Sequence, residues 1–158
     1  MTSWKPPQYV RPMALGLAWR GDQLLVFRVT DAAGKMKGVR PLGGQIDFLE
    51  SARSALVREF AEELGAAIEI DGAPIPLENL YEFNGARGHE LAFVYPIRFV
   101  DASLYAKDRL PIVDAGDPLP EAEWIDIAAL GPGKIELFPL GLLEAIRESR
   151  TMTRNSRP

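Results

Sequence analysis

Large and small side chains alternate from Met13 to Trp19, so that Met13, Leu15, Leu17 and Trp19 share one face and Ala14, Gly16 and Ala18 the other. A period of two residues predicts a strand. Arg20-Gly21-Asp22-Gln23 supplies turn chemistry, and Leu24 to Val29 returns as a second strand. The Arg-Gly-Asp triplet is read as this hairpin turn rather than as an adhesion signal. Residues 1–11 and 30–39 show no period and are read as an N-terminal arm and a polar loop.

The period changes in the next segment. Ala52, Leu56, Phe60 and Leu64 recur at four-residue spacing, which predicts a helix from Ser51 to Leu64 with that stripe buried. Ser51 suits its N-cap and Gly65 a left-handed C-terminal cap. Short strands are expected at Ile68 to Ile70 and Leu77 to Phe83, around a Pro-rich connection. His89 to Val100 is the clearest strand, with Leu91, Phe93, Tyr95, Ile97 and Phe99 on one face. Pro96 within it implies an edge position or a bulge. A loop through Asp114 and Asp117 leads to a strand at Trp124 to Ile127, then a helix from Pro139 to Glu148 and a frayed tail over 149–158.

Strands thus precede, bracket and follow one central helix without regular β-α alternation. That predicts an α+β fold, a mixed sheet layered between helices (α/β/α), as one domain over 1–158. The 158 residues are enough for one core.

Composition narrows the function. A net charge of −4 does not supply the basic footprint of a general nucleic-acid binder. The same charge repels a polyphosphate unless cations offset it. Cysteine is absent, which excludes disulfides, thiolate metal sites and Cys nucleophiles. No stretch has the ~20 apolar residues of a membrane span, and the N-terminus lacks a signal-peptide run, so the expected location is cytoplasmic.

The segment with most chemistry runs Gly44-Gln-Ile-Asp-Phe-Leu-Glu50, then seven residues, then Arg58-Glu59-Phe60-Ala61-Glu62-Glu63-Leu64-Gly65-Ala66. Glu59, Glu62 and Glu63 stand at i, i+3 and i+4 and project from one helical face, where like charges repel. They lie in the last helical turns, where the helix dipole disfavours negative charge. A solvated acidic face is the ordinary reading of three glutamates. Here a hard divalent cation with oxygen ligands would turn repulsion into attraction.

The spacing G-x5-E-x7-R-E-U-x-E-E-x-G-U, with U a bulky apolar residue, is the Nudix box, and residues 44–66 resemble it at every fixed position. Phe60 fits its U position and Ala66 fits only weakly. The resemblance implies the Nudix fold, with the box as loop, helix and loop. It also implies hydrolysis of a pyrophosphate bond by water attack on phosphorus, with Mg²⁺ or Mn²⁺. Carried over by position, Glu62 and Glu63 match the main metal-binding carboxylates, and Glu59 a metal ligand or base. Gly43 matches a residue whose carbonyl often binds metal. Arg58 matches a residue that orients the glutamates, and Glu50 its usual partner. Two positions depart: Asp47 stands where glutamate is frequent, and Leu49 where glycine is usual, so the loop is expected to bend differently.

Outside the box, the resemblance implies that, as in many members, a further carboxylate comes from a later loop. Asp114, Asp117, Glu121 and Glu123 are available, with Glu121 the first choice as a metal ligand and Glu90 a rival. Arg40 and Arg87 are candidates for binding substrate phosphate, against the plain alternative of surface arginines. His89 is read as a strand-edge residue and Tyr81 as core or rim.

The resulting expectation is metal-dependent cleavage of a nucleoside diphosphate linked to another group, with a small-molecule nucleotide as partner and a homodimer left open. A house-cleaning (d)NTP pyrophosphatase and a non-catalytic nucleotide-binding module are the alternatives. The proline that follows the box in many ADP-ribose hydrolases is missing from its place, since Pro74 and Pro76 come too early.

Overall fold

The computed structural model describes residues 4–114 and 117–156, apart from the side chains of 114–120. In chain order the elements are β1 (Val10–Arg20), β2 (Gln23–Thr30), β3 (Met36–Arg40), β4 (Leu42–Gln45), α1 (Ala52–Leu64), β5 (Ile68–Ile70), β6 (Ile75–Phe83), β7 (Ala86–Phe99), β8 (Arg109–Asp114), β9 (Asp117–Asp126) and α2 (Leu142–Asn155). Two short 3-10 turns, Ala102–Ala106 and Ile127–Ala129, fill connections.

All of these strands join one mixed sheet. On one flank β1 pairs in parallel with β7 from Val10 to Ala18. On the other flank it pairs antiparallel with β4 and then with β2. The outer strands β5 and β6 pair with β7, and β9 carries the sheet from β2 to β8.

The alternation read in β1 decides which helix covers which face. Its small residues Ala14, Gly16 and Ala18 let α1 lie close, with Leu56 and Phe60 fully buried there. Burying a side chain of this size contributes roughly 1.5–3 kcal/mol. Met13, Leu15 and Leu17 point the other way and pack with Leu142, Leu143 and Ile146 of α2. A sheet between two helical layers is therefore the observed architecture, as the pattern predicts.

Several expectations change. Val10 and Arg11 belong to β1 rather than to the arm. The aperiodic 30–39 segment contains β3, which is held by its ladder to β2 rather than by a core pattern of its own. β8 escapes the sequence reading, since Pro111 and a register shift interrupt any alternation.

Pro96 does not mark an edge, because β7 lies between β1 and the pair β5 and β6. Its carbonyl accepts from the Asp71 N–H, in the gap between the Ile70–Ile97 and Ile75–Val94 pairings. A strand residue's N–H and C=O point the same way, so the missing proline donor faces that gap and costs no ladder bond.

The C-terminal helix starts at Leu142, after Gly141, and continues to Asn155 instead of fraying at 149. Arg150 holds it down: its guanidinium lies 4.0 Å over the Trp19 ring and donates to Asp22 at 3.1 Å. Among the described residues, no helix is long and apolar enough to cross a membrane.

Candidate active site

The box forms a loop and a helix as its sequence indicates. Ser51 caps α1 by accepting the Ser54 N–H, and Gly65 ends it in the left-handed conformation. The Gly43-Gly44 pair precedes the loop on β4, and close approach explains both glycines. A side chain at Gly43 would run into the Ala14 carbonyl of β1, and one at Gly44 would occupy the space of the Glu59 carboxylate. Glu59 thus lies directly against the backbone of Gly44.

Arg58 sits among the acids. Its Nε and Nη2 donate to the two oxygens of Glu50 at 2.9 and 3.0 Å. Its Nη1 donates to Glu59 at 3.0 Å and to Glu62 at 3.2 Å. A further Nη2 bond reaches the Gln45 carbonyl at 3.0 Å, and Asp47 comes within 3.7 Å. The bidentate bond with Arg58, then the Asp47 N–H, hold the Glu50 carboxyl below its ordinary pKa, while Arg58 is raised first by Glu50. Repulsion between Glu59 and Glu62 is therefore offset internally: one guanidinium is shared by Glu50, Glu59 and Glu62.

Leu49 corrects an expectation. Instead of bending the loop away from the glycine conformation, Leu49 adopts it, with φ of 65°. The bonds that fix the turn are local: the Glu50 N–H donates to the Asp47 carbonyl, and the Asp47 N–H donates to the Glu50 carboxylate. A leucine in this region is strained. No burial compensates for it, because Phe48 and Leu49 are 93% and 90% exposed.

The remaining carboxylate candidates are engaged elsewhere. Glu121, on β9, pairs with Arg109 at 3.5 Å across the β8–β9 hairpin. Glu123 pairs with Arg28 at 2.6 Å. The side chains of Asp114 and Asp117 lie outside the described residues. Glu90 is buried on the α2 face, where Arg11 donates to it at 3.2 Å and the Tyr81 hydroxyl at 3.1 Å. Burial, then the Glu90 charge, push the Tyr81 phenol above its ordinary pKa. Arg40 lies over the Phe27 ring at 5.7 Å. His89 faces Glu78 at 2.9 Å on the sheet surface. Arg87 lines a groove at the β6–β7 hairpin, apart from the glutamates.

A divalent cation can be tested against this arrangement. Among the described residues no three His, Asp or Glu side chains already converge in a metal-binding group. The donor set nevertheless suits a hard cation: every carboxylate around Arg58 offers oxygen, and Gly44 leaves the space that Glu59 fills. The residues fit Mg²⁺ or Mn²⁺ in kind. Sequence reading did not show how fully Arg58 is committed, which depends on the Gln45 carbonyl and so on the fold of β4.

Comparison with solved structures gives the architecture its class. The MutT Nudix hydrolase from Burkholderia pseudomallei matches with a TM-score of 0.58 and 22% identity, covering 87% of this chain and 98% of its own. The E. coli ORF135 protein matches with a TM-score of 0.58 and 23% identity, covering 89% of this chain and 91% of its own. The MutT protein from Methanosarcina mazei Go1 matches with a TM-score of 0.59 and 17% identity, covering 97% of this chain and 98% of its own. The chain has the Nudix fold. No family model and no curated protein matches the sequence.

Proposed function

We propose that this protein is a Nudix-type pyrophosphohydrolase that cleaves the diphosphate of a nucleoside diphosphate linked to another group. The observation that carries the reading is the box itself in three dimensions: Glu59 against the Gly44 backbone, with Glu59 and Glu62 both tied to Arg58. A purely structural acidic helix does not need a glycine to make room for a carboxylate.

In this reading Glu59, Glu62, Glu63 and the Gly43 carbonyl hold Mg²⁺ or Mn²⁺. The ion supplies charge neutralisation at the phosphoryl oxygens and a more acidic water. Arg58 is a positioning residue, since its donors go to Glu50, Glu59, Glu62 and the Gln45 carbonyl. Glu50 anchors that arginine from the start of the helix. The exposed lip of the loop, Phe48 and Leu49, borders the carboxylates without supplying a ligand.

The test is a panel of nucleoside diphosphate sugars, dinucleoside polyphosphates and (d)NTPs, assayed for products with Mg²⁺, with Mn²⁺ and with chelator. Metal-dependent cleavage of a diphosphate-linked nucleotide is expected. Preference for (d)NTPs would move the protein to the house-cleaning class. Binding across the panel without turnover would make it a non-catalytic module and refute the proposal.

A further inference from the structure

A groove of about 660 Å³ lies between the N-terminal arm and the β6–β7 hairpin. This volume falls in the range of small-molecule sites, roughly 300–1,000 Å³. Its floor is one row of side chains across three strands. Val10 of β1 is the register partner of His89 on β7, which is the partner of Leu80 on β6. Glu82 and Arg87, themselves partners, form the next row, and Tyr9 of the arm closes the side.

The arm that carries Tyr9 is fastened rather than loose. The Asn84 side-chain amide donates to the Trp4 carbonyl at 2.9 Å, and the Trp4 ring meets Phe83 at 5.9 Å between centroids. Tyr9 and Leu80, which both line the groove, are nevertheless 57% and 67% exposed.

The row of Val10, His89 and Leu80 lies on the same sheet face as the box helix. Val10 alternates in phase with Ala14, which faces α1 and is the partner of Gly44, beside Glu59. Four strand residues separate the two places, a span of about 13 Å. Between them the surface carries the half-exposed Leu91 and Phe93.

We propose that this groove seats the nucleoside of the substrate while the diphosphate lies at the glutamates, a proposal that rests on the hydrolase reading above. Its lining suits a flat heterocycle: an aromatic ring and an aliphatic side chain for the faces, with Glu82 and Arg87 as acceptor and donor for the edge, while the His89 Nε2 is engaged with Glu78. Stacking on Tyr9 with apolar contact to Leu80 tolerates different bases. Choice among bases falls to Glu82 and Arg87, which accept and donate respectively. The Tyr81 hydroxyl is not available, because it is bound to Glu90.

The test separates binding from turnover. AMP, GMP, CMP, UMP and, as a probe without a base, ribose 5-phosphate are titrated without metal into wild type, Tyr9→Ala and Leu80→Ser by calorimetry. At least one nucleotide is expected to bind wild type more tightly than ribose 5-phosphate. Each variant is expected to weaken it about ten-fold, as loss of a stacking or apolar contact to a base would, with Tm unchanged. Equal binding by both variants, equal binding of ribose 5-phosphate, or no nucleotide binding at all overturns the proposal. Self-association abolished by Leu80→Ser, without nucleotide binding, would give the groove to a second copy of the chain and equally overturn it. Nucleotide binding in the groove with no metal-dependent cleavage would remove the hydrolase reading and leave the groove standing. Cleavage with the same KM in wild type and both variants would remove the groove alone.

Discussion

The Glu59 carboxylate occupies the space in which a side chain at Gly44 would begin. The obstacle to an alanine there is the end of a flexible side chain, which can swing aside. The obstacle at the neighbouring Gly43 is backbone of β1, which cannot. Gly44→Ala is therefore expected to fold with a loss of about 1 kcal/mol. Its turnover should fall by roughly 100-fold, the scale for a catalytic group displaced by an ångström. Gly43→Ala is expected to lose about 3 kcal/mol or more through overpacking. Melting curves and rates for the two variants check the contrast; near-normal turnover in Gly44→Ala would mean that Glu59 does not need its observed place.

Glu62 is the most exposed of the acids hydrogen-bonded to Arg58, and among the described residues it is held by an i,i+4 bond of 3.2 Å. Such pairs are worth at most a few tenths of a kcal/mol. Glu62→Gln should accordingly melt within about 0.5 kcal/mol of wild type in chelator. In excess Mg²⁺, wild type should gain stability by ligand linkage, and the variant should lose most of that gain. Its turnover should drop by orders of magnitude. Equal stabilisation of both proteins by the ion would remove Glu62 from the ligand set.

Leu49 combines positive φ with exposure, so replacing it relieves strain without opening a cavity. The left-handed region costs leucine roughly 1–2 kcal/mol, and the added freedom of an unfolded glycine returns about 0.5–1 kcal/mol. Leu49→Gly is expected to stabilise the protein by about 0.5–1 kcal/mol net. Rates should change only modestly, because no ligand is lost. Denaturant midpoints measure the gain, and a loss of stability would show that the turn depends on the leucine side chain.

The Glu50 carboxyl is held below its usual 4.5 by the two hydrogen bonds from Arg58, then by the Asp47 N–H. A lowered folded-state pKa means that the pair's contribution is complete above the unfolded value and is lost as pH falls through the folded one. The window lies on the acidic side of 4.5. Titration of Glu50 by carbon NMR should show the lowered value in wild type and a return toward the ordinary range in Arg58→Gln. Arg58→Lys should rescue the charge but not the bidentate geometry, giving an intermediate shift. An ordinary Glu50 value in wild type would mean that the arginine fork is not formed in solution.

The sequence alone determined what depends on local chemistry. Ser51 and Gly65 bound α1 through backbone groups within a few residues, and the alternation in β1 fixed which side chains face which helix. The chemical core of the site was legible for the same reason: Glu50, Arg58, Glu59 and Glu62 lie close enough along one loop and helix to meet. Tertiary structure decided what depends on partners distant in sequence. β3 exists because β2 offers a ladder, and Pro96 is tolerated centrally because its missing donor faces a gap between β5 and β6. Arg150 keeps the C-terminal helix ordered through Trp19 and Asp22, residues at the opposite end of the chain. The groove likewise appears only when Val10, His89 and Leu80 are set side by side, since register across three strands is a property of the sheet and not of any one strand.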